Sequence, residues 1–288
     1  MRLDRAYRMF LEEKRLEGCA RRTIEAYDDF LGRVVADLGP GLDVADVAAP
    51  VRAWLVAQSK RGLADSTFYN FVKQVRTFCL FLFNSGWLSE KVPLPKTRRP
   101  RPDVRPMSPQ QVRACLRAFD TSTFVGLRNQ VIFRLMFATG IRRGELMRLE
   151  MSDLDMHNRI MRIQGKGGKV GIVPLPRRAR RVLWQYIKAR ADRAECKQVF
   201  ITRHGSPMTE WSIKHLFRTL KDKGIEFEGI RLSSHTLRHS FATNFTGDLL
   251  RLQDILRHES LSTTRIYVKL NPTLLKRAID EHGPDELV

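Results

Sequence analysis

The first 90 residues carry apolar side chains at helical spacing on a charged background. Side chains three or four positions apart share one face of a helix, so this pattern predicts helices that pack their apolar faces together. Four segments show it: residues 4–16, 23–35, 51–59 and 66–82. Thr23 is the candidate N-terminal cap of the second helix, and Ser66 is expected to open the fourth. No alternating pattern occurs here, so we expect no strand in this part of the chain.

Residues 91–106 are rich in proline and in basic side chains. Proline is incompatible with a helix interior and pushes the preceding residue to extended geometry, so this segment predicts an extended linker. Its basic side chains are Lys96, Arg98, Arg99, Arg101 and Arg105. Such a linker either lies along a phosphate backbone or is solvated without contacts, and the charge of the whole chain favours the first interpretation.

After residue 107 the helical spacing returns, and it is interrupted once by a period of two. Ser108 and Gln111 have the spacing of a capping box, and Gly140 is a candidate helix stop. The helical segments are residues 108–119, 127–136, 142–149, 177–193, 212–223, 234–244, 249–257 and 274–281. The glycine-rich residues 165–168 join two alternating segments, 159–164 and 169–175, which predicts a β-hairpin.

These patterns together predict a mainly α fold with two domains. Residues 1–90 form a helical domain, residues 91–106 a basic linker, and residues 107–288 a mostly α domain with a small antiparallel sheet. A length of 288 residues allows either one large domain or two ordinary ones.

The charge of the chain narrows the class of partner. Lys and Arg number 51 against 31 Asp and Glu, a formal net charge of +20. Such a surface attracts polyanions, with nucleic acid the leading candidate and an anionic membrane the alternative. No window approaches the roughly 18–20 uninterrupted apolar residues that span a bilayer, and the N-terminus lacks the apolar run of a signal peptide. We therefore expect no membrane partner and a cytoplasmic location, or a nuclear one in a eukaryote.

The sequence also indicates no cofactor. The four cysteines are scattered and form no Cys-x-x-Cys pair, so we expect reduced thiols rather than a zinc site or a disulfide framework. Neither a phosphate-binding loop motif nor a dinucleotide fingerprint occurs, so no metal or nucleotide cofactor is implied.

Several cationic and titratable residues suit chemistry at a phosphodiester, whose transition state concentrates negative charge on oxygen. Guanidinium groups match that geometry and stay charged, and Lys or His can protonate a leaving oxygen. The candidates are Arg142 with Glu145 one turn later, Lys166 and Lys169 at the hairpin turn, His235 and Arg238 on one helix face, His258 and Tyr267. Each also has an ordinary interpretation, as a surface ion pair, a solvated lysine or a structural residue. Spacing alone does not distinguish Tyr267 from the other four tyrosines.

Five ordered segments resemble the motifs of the tyrosine recombinase (phage integrase) family. They are residues 138–146, 165–169 with 173–175, 234–243, 255–258 and 262–267. Residues 22–27 and the Phe-rich helix also resemble the family's core-binding domain, so the resemblance covers nearly the whole chain. Two departures occur: Arg257 stands where the family usually has glycine, and the chain between Thr243 and Asp248 is shorter by roughly one helical turn.

The resemblance implies a fold, an activity and a role for each motif residue. The fold would be a SAM-like core-binding domain followed by the catalytic domain of DNA breaking-rejoining enzymes. Tyr267 would be the nucleophile, Arg142 and Arg238 would hold the phosphate, and Lys166 would be the general acid. His235 would assist proton transfer, His258 would donate to the phosphate and Glu145 would support the site. Lys169 and the basic residues of the linker would contact DNA.

The same resemblance implies a simple, Xer-like or transposon-type recombinase acting on double-stranded DNA as a homo- or hetero-tetramer, for integration, excision or dimer resolution. Residues 274–279 would pack against a neighbouring subunit. Two alternatives stay open at this point. One is a catalytically degenerate DNA-binding protein, against which the intact set of motif residues argues. The other is a type IB topoisomerase, which shares the chemistry but relaxes DNA as a monomer.

Overall fold

The structure, a computed structural model, describes residues 1–98, 100, 105–165 and 170–257. The backbone divides into two compact units, Met1–Pro102 and Asp103–Val288. Within the described residues the chain forms eleven α-helices and one three-stranded antiparallel sheet, which confirms the mainly α fold with a small sheet. The predicted helix at residues 274–281 lies outside the described residues.

The first unit consists of four helices whose apolar faces meet around a cluster of aromatic rings. They are α1 (Leu3–Leu16), α2 (Arg21–Leu38), α3 (Ala48–Ser59) and α4 (Asp65–Asn84). Phe10 is fully buried and makes edge-to-face contacts with Tyr27, Phe78 and Phe81 at centroid distances of 5.2–5.4 Å. Within residues 1–98 no strand forms beyond an isolated bridge between Arg2 and Asp43, as the sequence predicted.

The predicted cap of α2 was wrong. Helix α2 begins after Ala20 and α4 after Ala64, and neither alanine has a side chain that can cap. The backbone N–H of Thr23 donates to the carbonyl of Ala20, so Thr23 already lies in the first turn. Ser66 lies in the first turn of α4, one position after its first residue Asp65 and close to the predicted start.

Part of the predicted linker packs against the first unit. Arg76 Nη2 donates to the carbonyl of Pro95 at 2.6 Å, and Val92 and Leu94 lie partly buried against the core. The basic side chains of Lys96 and Arg98 remain exposed. Arg105 is also exposed, and Arg99 and Arg101 lie outside the described residues.

The second unit is built around one buried helix. Its helices are α5 (Pro109–Arg117), α6 (Phe124–Thr139), α7 (Arg143–Arg148), α8 (Arg177–Ala191), α9 (Glu210–Asp222), α10 (Ser234–Asn244) and α11 (Leu249–Leu256). Helix α6 is buried along most of its length and packs against α5, α8 and α10. The predicted capping box opens α5: Gln111 Oε1 accepts from the Ser108 N–H at 2.8 Å, and Ser108 Oγ accepts from the Gln111 N–H at 3.3 Å.

The sheet has the order β1-β2-β3, with strands β1 (Leu154–Asp155), β2 (Ile160–Gln164) and β3 (Val170–Pro174). Strand β2 pairs with β3 in a register that places Met161 opposite Val173 and Ile163 opposite Gly171. Met161, Ile163 and Val173 are buried, whereas Ile172 is exposed, so one face of the hairpin packs on the core. The hairpin is confirmed, and β1 went unpredicted because two residues are too few to show an alternating pattern.

Candidate active site

Helix α6 ends at Gly140, and this stop positions the first arginine of the site. Gly140 has φ 62°, the left-handed conformation that glycine adopts without strain. A Cβ there would lie 2.6 Å from Phe241 and 2.7 Å from Leu256, so packing also requires glycine. After Gly140 the chain buries Ile141 and turns into α7, with Arg142 at the N-cap. The predicted stop is confirmed.

Arg142 is held by Glu145 in the first turn of α7. One carboxylate oxygen accepts from the Arg142 backbone N–H and the other from Arg142 Nη1, each at 2.9 Å. The Glu145 side chain is 4% exposed and that of Arg142 is 45% exposed. The pair is therefore not an ordinary surface ion pair: a buried carboxylate orients a guanidinium that remains accessible to a ligand.

Arg238 lies on α10 and is anchored at the C-terminal ends of two other helices. It is buried, with Nη1 donating to the carbonyl of Gly140 and Nη2 to the carbonyl of Leu256 at 2.7 Å. The backbone dipoles place negative partial charge at both helix ends, which favours a cation there. Arg238 thus joins the end of α6 to the end of α11.

His235 lies one turn before Arg238 on α10, and its imidazole reaches solvent. Partial burial of the ring lowers the pKa of His235, and the positive charges of Arg143 and Arg238 lower this pKa further. Burial likewise lowers the pKa of His239, with contributions from His235 and Arg238. These lowered pKa values favour the neutral form of both imidazoles, and a neutral imidazole can accept a proton from a nucleophile.

The C-terminal end of α11 also contacts Arg142, and its C-cap residue, Arg257, contributes a third guanidinium to the site. Arg257, which the sequence marked only as a departure from the family pattern, is the left-handed C-cap of α11 with φ 52°. Its carbonyl accepts from Arg142 Nη2 at 3.5 Å, and its own Nη2 donates to Glu145 Oε2. The consecutive carbonyls of Leu256 and Arg257 therefore hold Arg238 and Arg142.

A further ion pair near the site was missed by the sequence analysis. Arg143 donates to Glu210 Oε2 from Nε at 3.1 Å and from Nη2 at 2.6 Å, which ties α7 to α9. The two residues are 67 positions apart, so no local pattern could have indicated the pair.

The remaining predicted site residues, Lys166, Lys169, His258 and Tyr267, lie outside the described residues. Lys166 and Lys169 belong to the connection between β2 and β3, and His258 directly follows Arg257 in the sequence. Within the described ranges, no three His, Cys, Asp or Glu side chains are grouped so that they could hold a metal ion. In those same ranges no helix combines the length and apolarity needed to cross a membrane.

Comparison with known proteins gives the family to which this chain belongs. The phage integrase family matches residues 105–273. The tyrosine recombinase XerD of Listeria innocua is 30% identical over 285 residues, covering 93% of this chain and 94% of that protein. The tyrosine recombinase XerC of Bacillus pumilus is 29% identical over 300 residues, covering 98% of this chain and 97% of that protein. The chain therefore belongs to the phage integrase family of tyrosine recombinases.

Solved structures share the fold. A lambda integrase dimer bound to a COC′ core site matches with a TM-score of 0.75 at 16% identity, covering 93% of this chain and 95% of that one. The Tn1549 transposon integrase in complex with a circular intermediate DNA matches with a TM-score of 0.73 at 18% identity, covering 93% of this chain and 95% of that one. At these identities the likeness concerns the fold alone.

Proposed function

We propose that this protein is a site-specific DNA recombinase that cuts and rejoins double-stranded DNA through a covalent link to Tyr267. The observation that carries the proposal is the convergence of Arg142 and Arg238 on consecutive carbonyls at the end of α11, immediately before His258 in the sequence. Two guanidiniums fixed in this way can donate to the nonbridging oxygens of one phosphate. Such preorganised donors stabilise the charge of the transition state without a reorganisation step.

The proposed reaction proceeds in two transesterifications. The Tyr267 oxygen attacks the phosphorus and loses its proton towards neutral His235, while the bond from phosphorus to the 5′ oxygen breaks. Lys166 gives a proton to that oxygen, which leaves as a 5′-hydroxyl, and the phosphate becomes a 3′-phosphotyrosyl ester. His258 donates to the phosphate, and Glu145 keeps Arg142 in place. A 5′-hydroxyl of another strand then attacks the ester and releases Tyr267. Each step exchanges one ester for another, so rejoining needs no ATP.

The proposal extends to DNA contacts, assembly and location. Lys96, Arg98, Arg99, Arg101, Arg105 and Lys169 are proposed to contact the DNA backbone. Two rounds of strand exchange require four active sites, so we expect a homo- or hetero-tetramer on DNA, and we expect it to act in the cytoplasm. If the basic residues bind phosphates, replacing Arg105 with alanine should reduce the slope of log affinity against log salt by about one.

The test is capture of the covalent intermediate. Wild-type protein is incubated with a library of nicked duplexes that includes the repeats flanking its gene. A nick beside the cleavage site releases a short DNA fragment on cleavage, and the loss of this fragment traps the covalent adduct. We expect a protein–DNA adduct that survives denaturation with wild type and is absent with Tyr267→Phe. Tyr69→Phe, which makes the same chemical change on α4, is the matched control and should form the adduct.

Two outcomes would contradict the proposal. An adduct that persists in Tyr267→Phe would show that another residue is the nucleophile, and no adduct on any duplex would refute the catalytic assignment. Once an adduct is found, the topology of the products from a plasmid with two sites distinguishes recombination from simple relaxation. Recombination should give deleted or inverted circles, whereas relaxation changes only linking number.

A further inference from the structure

Arg257 has a backbone conformation that its side chain makes costly. Its φ of 52° lies in the left-handed region. There a Cβ crowds the following carbonyl, and glycine, which has no Cβ, avoids this strain. Among the described residues outside glycine, Arg159 is the only other with positive φ. A non-glycine residue persists in such a conformation when interactions of its side chain offset the strain.

The Arg257 side chain crosses strand β3 at Gly171. A Cβ on Gly171 would lie 2.6 Å from Arg257 Cδ, closer than nonbonded carbons approach. Gly171 does not have positive φ, so its backbone alone would accept alanine. A glycine inside a strand commonly marks the close approach of another group, and here that group is the stem of Arg257.

The far end of the same side chain depends on Glu145. Arg257 is 16% exposed, and its Nη2 donates to Glu145 Oε2. Its Nε and Nη1 are buried and have no hydrogen-bond partner within the described ranges, so the Glu145 carboxylate is the acceptor that compensates for burying this charge. Because both ends are held, the stem cannot swing away from Gly171 without breaking the ion pair.

We propose that Arg257 is a positioning residue of this recombinase, which ties the Glu145–Arg142 pair on α7 to strand β3 and to the end of α11. The inference rests on the proposed function, because the three elements it joins carry or adjoin Arg142, Lys166 and His258. Strand β3 directly follows, in the sequence, the connection that contains Lys166, so Arg257 ties the phosphate-binding arginine to the strand that leads out of that connection. A glycine at position 257 would have no side chain to make these contacts.

The test is a double-mutant cycle between Arg257→Gly and Gly171→Ala. Glycine at 257 removes the side chain and suits the backbone, whereas alanine at 171 pushes against Arg257 Cδ. We expect each single variant to form the covalent adduct about tenfold more slowly at saturating protein, because small misplacements of reacting groups slow the chemical step. The double variant should form the adduct no more slowly than Arg257→Gly alone. The methyl group added at position 171 then has no Arg257 side chain to clash with. DNA affinity, measured with Tyr267→Phe in each background, should change less than about twofold.

Controls and a second readout keep the outcomes distinct. Arg251→Ala removes another positive charge from α11 and should cleave at the wild-type rate, and Arg257→Lys should recover part of the rate lost in Arg257→Gly. Additive losses in the cycle, or wild-type cleavage by Arg257→Gly, would overturn the inference while leaving the recombinase proposal intact. Absence of any adduct with wild type would refute the proposed function. In that case the positioning role is tested by amide hydrogen exchange in residues 142–148. Each single variant should exchange faster than wild type, and the double variant should exchange no faster than Arg257→Gly.

Discussion

Replacing Glu145 with glutamine should destabilise the second unit by about 3 kcal/mol. Glutamine has the same shape, so the loss comes from charge rather than from a cavity. Arg142 is 45% exposed, and water can replace the carboxylate there, so this pair contributes at most about 1 kcal/mol. Arg257 is 16% exposed, so its guanidinium loses its counter-charge while still buried, and the glutamine amide places an NH2 donor where one carboxylate oxygen accepted from an arginine, at a cost of about 2 kcal/mol or more. The loss of the more buried pair therefore dominates.

The measurement is urea unfolding followed by amide exchange in peptides of α6 and α7, with peptides of α1 reporting separately on the first unit. The double variant Glu145→Gln with Arg257→Gly should be more stable than Glu145→Gln alone. It no longer buries an unpaired charge, and glycine relieves about 1 kcal/mol of backbone strain at position 257. A loss below about 1 kcal/mol for Glu145→Gln, or a double variant no more stable than Glu145→Gln alone, would refute this account of the buried cluster.

Three further outcomes follow from the same contacts. Gly140→Ala should lower the free energy of unfolding by about 2–4 kcal/mol in urea titrations, because it adds left-handed strain to a clash with Phe241. Arg143→Gln should raise the pKa of His235 towards its ordinary value in an NMR titration of the ring protons, since it removes a nearby positive charge; an unchanged or lower pKa would contradict this. The pKa values of His235 and His239 are lowered in the fold, so the unfolded chain binds more protons below about pH 6.5 and the free energy of unfolding should fall as pH falls through that value. His239→Gln should reduce this pH dependence, and an equally steep dependence in that variant would argue against the histidine's role.

Much of the fold could be predicted because its signals are local. The capping box of Ser108 and Gln111 and the stop at Gly140 depend on a few neighbouring residues, and the structure places both where the pattern indicated. Thr23 and Ser66 have cap-forming side chains but lie in the first turns of α2 and α4, which begin earlier, after Ala20 and Ala64. Local sequence signals therefore predict the existence of a helix more reliably than they predict its first residue.

The site could be predicted in part, and the difference between its parts is physical. Arg142 and Glu145 are one turn apart, as are His235 and Arg238, so helical spacing alone pairs them. Arg257 and Gly171 meet only because α11 packs beside β3, and no sequence pattern relates positions that far apart. The choice of Tyr267 rested on the order of the family motifs, since composition and spacing did not distinguish it from the other tyrosines. It remains a prediction for the covalent-capture experiment.

The segment between α10 and α11, which the motif resemblance predicts to be shorter than in the family, bears directly on how the site is held together. Residues 245–248 join the two helices, and Asp248 caps α11 by accepting from the Arg251 N–H at 2.8 Å. A shorter link constrains where α11 begins, but the arginines contact its other end, at the carbonyls of Leu256 and Arg257. Any change in the start of α11 therefore leaves the arginines in place only if the end of the helix is fixed independently. The ion pair of Arg257 with Glu145 and its packing over Gly171 fix the end of α11 independently. These contacts give a physical reason for arginine at a position where the backbone alone would favour glycine.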